Sequence, residues 1–237
     1  TLDLHGKNRQ EALMLVENYV HYGALHGLDS LLIVTGKGNR SQAGPVLKQT
    51  VEQFDALFPG NVIGQVCDVS KSADVASFVR KVIDTFGELH VLINNSGFGK
   101  ETLIWETSEK AWDEVMDTNV KGTFLMCKEV VPHMINNKEG YIINIASQAA
   151  LNGYANAGVY CASKFAMVGL GKALQEEVRP YGIHVHSLNP ALIQSQKAET
   201  EKVDDGLIQN EDLGNMVVYL LSQPRRLKID NIGLWGY

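Results

Sequence analysis

Short apolar runs recur along this chain with stretches of helical length between them. Leu31-Leu32-Ile33-Val34, Asn61 to Cys67, His90 to Asn95, Tyr141 to Ser147, Ile183 to Asn189 and a terminal run near Leu227 to Leu234 read as strands. The intervals Ser72 to Phe86, Trp112 to Asn136, Ala157 to Arg179 and Asp212 to Ser222 repeat their apolar residues every three or four positions, as helices do. Strands spaced this far apart cannot be hairpin partners. They run parallel, joined by right-handed crossovers with helices on both faces. Upstream, Thr1 to His5 alternates like a strand, Gln10 to His26 is helical, and Pro45 can open a helix reaching Phe58 before the Pro59-Gly60 turn. The expectation is one doubly wound, three-layer, Rossmann-like α/β domain over residues 1–237 with a mainly parallel sheet.

Composition narrows the function. With 237 residues, 45% of them hydrophobic, the chain can bury one substantial core. A formal net charge of −6 with both signs interspersed argues against binding nucleic acid through bulk electrostatics. Cys67, Cys127 and Cys161 are scattered without metal-type spacing, so no metal site is expected and a reduced, cytoplasmic setting fits. No run of apolar residues is long enough to span a membrane, and Thr1-Leu2-Asp3-Leu4-His5 lacks the features of a signal peptide.

The chemistry concentrates in Tyr160-Cys161-Ala162-Ser163-Lys164, with Ser147 at the end of the apolar run Tyr141-Ile142-Ile143-Asn144-Ile145. On a helix Lys164 lies one turn beyond Tyr160 on the same face. A neighbouring ammonium stabilises a phenolate and is expected to bring the tyrosine pKa down from about 10. Such a phenol can protonate a carbonyl oxygen while hydride reaches carbon, and Ser147 can hold that oxygen.

These residues, with Asn94-Asn95-Ser96-Gly97 after a strand and Asn119 in Asp117-Thr118-Asn119-Val120, resemble the short-chain dehydrogenases/reductases from about Asn61 to the C-terminus. The resemblance implies that Tyr160 is the acid/base, Lys164 lowers its pKa and holds the nicotinamide ribose, Ser147 orients the carbonyl, and Asn119 supports a proton-relay water. It implies NADP or NAD as cofactor, bound by Asp68, Val69, Asn94, Ser96, Gly97, Tyr160, Lys164, Pro190 and Ile193. Asp68 also reads as an acid at the N-terminus of the Ser72 helix, and the Asn94 motif as a brace of the sheet. Ala191 stands where the family usually has glycine. Substrates implied are small ketones, the corresponding alcohols, or 3-oxoacyl thioesters. The helices carrying Val115, Met116, Phe124, Leu125, Val130, Phe165, Met167, Val168 and Leu170 imply a homodimer or homotetramer, against a monomer that buries the pair internally. The polar stretch Gln194 to Asn210 reads as a mobile loop.

The first sixty residues depart from that family. A Gly-x-x-x-Gly-x-Gly loop is expected after the first strand, and His5-Gly6-Lys7-Asn8-Arg9 keeps one glycine. Val34-Thr35-Gly36-Lys37-Gly38 looks like a reductase opening, but counting elements places it second. Leu2-Asp3-Leu4-His5-Gly6, Glu11-Ala12, Thr35-Gly36-Lys37-Gly38 and Gly44-Pro45-Val46-Leu47-Lys48 resemble instead the small MutS-related (Smr) domain over residues 1–58, which implies nucleic-acid binding or cleavage. The chain thus reads as a chimera, natural or engineered: an Smr-like βαβα fragment occupying the first two strand positions of a reductase body at 61–237. Three functions follow: a nicotinamide-dependent oxidoreductase with impaired cofactor binding, a structural hybrid without activity, or a nucleic-acid protein using His5, Lys37 and Arg40. On the first reading Lys7 and Arg9 meet the pyrophosphate, and Lys37 and Arg40 the adenosine ribose. Binding would then be weak and salt-sensitive, with a preference for a 2′-phosphate. Side chains in place of glycines could equally fill the pyrophosphate space and prevent binding.

Overall fold

In this computed structural model the described residues are 63–194, 204 and 206–237, with the backbone of 31–34. The expectations for 1–30 and 35–62, among them His5 to Arg9, Lys37 and Arg40, lie outside them, as does most of the Gln194 to Asn210 stretch. The described elements are β1 (Leu31–Val34), α1 (Ser72–Phe86), β2 (Val91–Asn94), α2 (Glu109–Met116), α3 (Gly122–Asn137), β3 (Gly140–Ile145), α4 (Gly158–Val178), β4 (Ile183–Pro190), α5 (Asn210–Ser222) and β5 (Asn231–Leu234). The five strands form one sheet in chain order, all parallel.

Burial on both faces explains why β2 and β3 read as nearly continuous apolar runs. Leu92, Ile142 and Val185 join one core cluster with Val75, Phe78, Val79 and Val82 of α1 and Leu125, Met126, Val130 and Met134 of α3. Their strand neighbours Val91, Ile93, Tyr141 and Ile143 point the other way and are also buried. The four apolar residues of α1 recur at the helical interval, so a single stripe meets the sheet. Ser108 caps α2 by accepting from the Ala111 amide at 3.2 Å, and Gln209 and Asp212 cap α5 reciprocally.

Three expectations change. Residues 63–67 form no strand, so the run from Asn61 to Cys67 is not an element over its described part; Cys67 and Val69 are buried by packing against the α1 and α3 cluster. The helix expected to run unbroken from Trp112 to Asn136 is interrupted by a π-helical turn, Asp117–Lys121, between α2 and α3. Most importantly, β1 lies directly beside β2, with Leu31 opposite Val91 and Val34 opposite Asn94. In a doubly wound sheet of order 3-2-1-4-5-6 the strand ending in the Asn94 motif is the fourth, and its neighbour is the first. Leu31–Val34 therefore takes the first position and not the second. Counting failed because it assigned a strand to every apolar run, whereas pairing depends on register.

On the β3–β4 face, Tyr141, His184 and His186 form a parallel stack. Tyr141 and His184 centroids lie 5.4 Å apart, and His184 and His186 centroids 6.1 Å apart. Burial pushes both imidazoles below the usual histidine range; for His186 the Ile229 carbonyl and Asp230 work against this and His184 with it. Because the folded state holds them neutral, their contribution to stability is complete above about pH 6.5 and is lost as pH falls below it. We expect Tm to drop between pH 7 and pH 5, and a His184→Gln/His186→Gln variant to lose most of that slope in calorimetry across the same range.

Candidate active site

The ends of β2, β3 and β4 and the N-terminal half of α4 bring the sequence-derived catalytic set together. Tyr160 and Lys164 share a face of α4, with the Lys164 ammonium 5.6 Å from the Tyr160 ring centroid. Lys164 is only 4% exposed, and Nζ donates to the Ile145 carbonyl at 2.8 Å, one strand end from Ser147. Ser147 lies two residues beyond β3, its Oγ accepting from the Ala149 amide at 3.1 Å and close enough to the Tyr160 hydroxyl to influence its pKa. The Tyr160 ring lies against Gly99, where an added Cβ would come within 3.1 Å of it. A Cβ on Gly97 would lie 3.1 Å from Asn119 Oδ1 and 3.4 Å from Lys164 Nζ, so the loop after β2 approaches both only because it carries no side chain there.

The sequence expectation for the tyrosine pKa is reversed. Burial raises the Tyr160 phenol above its ordinary value, the Ser147 hydrogen bond lowers it, and Cys161 raises it. Desolvation outweighs stabilisation of the phenolate, so the phenol holds its proton at neutral pH.

Asn119 sits in the π-helical turn and is fully buried. Its Oδ1 accepts from the Phe98 amide at 3.0 Å, while Nδ2 donates to the Phe98 carbonyl at 2.9 Å and to Ser163 Oγ at 2.9 Å. Ser163 Oγ in turn donates to the Tyr160 carbonyl at 2.8 Å. The amide thus clamps the loop after β2 to the turn of α4 that carries Tyr160. Sequence reasoning missed Ser163, although a small hydroxyl three positions after Tyr160 shares its helix face.

The residues expected at a cofactor divide into two groups. Val69, Asn94 and Ser96 line one depression with Thr118, Gly122, Thr123 and Met126. Asn94 also braces the sheet, its Nδ2 donating to Asn144 Oδ1 at 2.9 Å and to Cys127 Sγ at 3.6 Å, and the buried Cys127 thiol is pushed up to about 12. The Asp68 carboxylate accepts from the Ser70 amide and hydroxyl at 3.2 and 2.7 Å, forming the turn that leads into α1. Pro190 ends β4, and beyond it Ala191 donates to the Leu234 carbonyl at 2.8 Å and Ile193 bridges to Ile208. A phenol, an ammonium and a serine hydroxyl beside glycine-lined space suit a nicotinamide ribose and a carbonyl group, so the donor set fits a nicotinamide cofactor at this end. Among the described residues no cluster of His, Cys, Asp and Glu could hold a metal ion, and no helix is long and apolar enough to cross a membrane.

Known proteins resemble this chain in sequence and fold. The short chain dehydrogenase family model matches residues 39–205, and the Smr domain model matches residues 2–69, so the two overlap over 39–69 rather than meeting near residue 60. The chain is 36% identical over 172 residues to the (2S)-[(R)-hydroxy(phenyl)methyl]succinyl-CoA dehydrogenase subunit BbsD of Thauera aromatica, covering 72% of this chain and 68% of that one. It is 31% identical over 170 residues to the 3-oxoacyl-[acyl-carrier-protein] reductase FabG of Staphylococcus epidermidis, covering 67% of this chain and 70% of that one. A metagenomic short-chain oxidoreductase solved in complex with NADP superposes with a TM-score of 0.69 at 28% identity, over 81% of this chain and 80% of that one. The Thermococcus sibiricus alcohol dehydrogenase shares the fold at a TM-score of 0.78 and 20% identity, over 99% and 94% of the two chains. Built on the Ser147, Tyr160 and Lys164 cluster and carrying an Smr match over its opening residues, the chain belongs to the short chain dehydrogenase family.

Proposed function

We propose that the chain is an NADP- or NAD-dependent oxidoreductase that interconverts a ketone, of the 3-oxoacyl thioester class, with its alcohol. The observation that carries this reading is the buried Lys164 ammonium beside the Tyr160 phenol, with the Ser147 side chain close enough to act on that phenol. The substrate class rests on the thioester dehydrogenase and acyl-carrier reductase among the relatives. A bound nicotinamide would supply or accept the hydride. Ser147 positions the carbonyl oxygen, and Tyr160 gives that oxygen its proton as negative charge develops there. Lys164 stabilises the phenolate left behind and holds the nicotinamide ribose. Asn119 fixes the loop around Gly97 and supports the relay that returns a proton to Tyr160. Pro190 and Ile193 would hold the nicotinamide end of the cofactor, and Asp68, Val69, Asn94 and Ser96 its adenosine end. The exposed Trp112, Phe124 and Phe165 of α2, α3 and α4 support pairing of copies through these helices.

The position of β1 alters the reading of the phosphate end. The stretch next in sequence after Leu31–Val34, Thr35-Gly36-Lys37-Gly38-Asn39-Arg40-Ser41, has the glycine and cation content of segments that hold a pyrophosphate after the first strand of doubly wound folds. Two glycines and two cations in that stretch favour weak binding of a phosphorylated dinucleotide over none. A structural hybrid without turnover is the second reading, favoured by the Smr match that runs through this opening segment.

Three outcomes test the proposal. Tyr160→Phe removes the proton donor and leaves the ring in place, so steady-state reduction of an acetoacetyl thioester should fall by about 10²–10⁴ with the circular dichroism spectrum unchanged. Because burial raises the phenol pKa, reduction, which needs the phenol, should hold across neutral pH and fall only in alkali, whereas oxidation, which needs the phenolate, should climb with pH; opposite slopes in the two pH–rate profiles check this. Fluorescence titration should show NADPH binding more tightly than NADH, with the affinity for NADPH falling as salt rises from 50 to 500 mM.

A further inference from the structure

Ser147 and the segment beyond Pro190 come from different strands, so an oxidoreductase of this design must hold the two at a fixed spacing. Gln148, the residue after Ser147, spans the gap. Its side chain is 3% exposed, and Nε2 donates to the main-chain carbonyl of Asn189, the residue before Pro190, at 2.7 Å. Its own carbonyl accepts from the Leu151 and Asn152 amides, both at 3.0 Å, which fixes the turn after Ser147. On the other side the fully buried Asn189 amide donates to Asn231 Oδ1 and, at 3.1 Å, to the Ile232 carbonyl. Space for Gln148 depends on β5: a Cβ on Gly233 would come within 3.0 Å of Gln148 Nε2 and within 2.4 Å of the Trp235 ring.

The arrangement carries a cost. Among the described residues Gln148 Oε1 and Asn189 Oδ1 are buried without a hydrogen-bond partner. An apolar side chain of the same length would fill the space without desolvating an unpaired acceptor, so packing alone does not account for glutamine here. What glutamine supplies is a donor that ties the serine turn to the end of β4.

We propose that Gln148 is a positioning residue: through its hydrogen bond to the Asn189 carbonyl it sets the distance between Ser147 and the Pro190–Ile193 segment, and hence the alignment of substrate carbonyl and nicotinamide. The inference rests on the oxidoreductase reading for its effect on rate, and on geometry alone for its effect on structure. Loss of the bond lets the two segments drift by a fraction of an ångström, which is costly where a reacting pair must be aligned.

The test compares Gln148→Met, which keeps length and removes the donor, with Gln148→Glu, which keeps shape and places a carboxylate against the Asn189 carbonyl. Each is measured in the full chain for kcat and KM with NADPH and an acetoacetyl thioester, for thermal melting, and for amide hydrogen exchange at Ala191. For Gln148→Met the expected result is a 10- to 100-fold loss in kcat, KM for the thioester changed less than threefold, a melting temperature within a few degrees of wild type, and faster exchange at Ala191. Gln148→Glu is expected to lose at least as much kcat. Wild-type kcat in Gln148→Met with unchanged exchange would overturn the proposal, as would a kcat loss that tracks only the fraction unfolded. If wild type itself shows no turnover, the oxidoreductase reading fails on that result. Exchange at Ala191 then decides the tie by itself, faster exchange in Gln148→Met supporting it and unchanged exchange overturning it.

Discussion

The site is organised by the burial of one ammonium. Lys164 is all but removed from water, and an ammonium in that position is stable only where oxygen atoms replace its hydration. The Ile145 carbonyl, at the last residue of β3, supplies one of them. The need to bring strand ends up to a helical lysine explains why β3 stops where it does and why the loop after β2 carries glycine at 97. It also explains the Asn119 clamp, which holds that loop down through both polar atoms of Phe98. The phenol beside it feels two opposed influences. Burial keeps the proton on, while an adjacent cation would favour taking it off once charge begins to develop. A donor that is neutral at rest and supported when it ionises is what protonation of a carbonyl demands.

Much of this was legible in the sequence, for physical reasons that differ by element. α1 was placed at its observed limits because its single apolar stripe meets a single core. β2 and β3 were visible because strands covered on both faces are almost wholly apolar, and β4 because Ile183, Val185 and Leu188 still punctuate its polar residues. Tyr160, Lys164 and Ser147 converge because helix pitch and strand termination are both local properties. The failures are non-local. The sign of the Tyr160 shift depends on how much of the ring the fold covers, which spacing does not report. The Asp68 carboxylate accepts from the Ser70 amide in the turn before α1, a contact that spacing alone did not announce. Gln148 gave no signal, since its partner lies on another strand.

The placement of β1 shows how little a parallel sheet asks of a strand's sequence. Leu31–Val34 falls inside the Smr match and outside the dehydrogenase match, yet it pairs in register with the β2 that carries the Asn94 motif. Pairing in a parallel ladder is made by main-chain groups, so a short run of strand-forming residues can take part in it whichever family pattern covers that run. A boundary between two family patterns can therefore fall within one sheet without breaking it.

The π-helical turn at Asp117–Lys121 carries a consequence of its own. Each residue advances the direction of side chains around a helix by about 100°, so a widened turn puts the residues before it out of phase with those after it. α2 and α3 behave like two shafts joined by an offset coupling: each presents its stripe in the direction its own surroundings require, and Asn119 occupies the coupling. Shortening the coupling by one residue would leave both shafts intact and swing the amide away from Phe98, so the geometry around Lys164 depends on a local miscount in a helix that otherwise looks continuous.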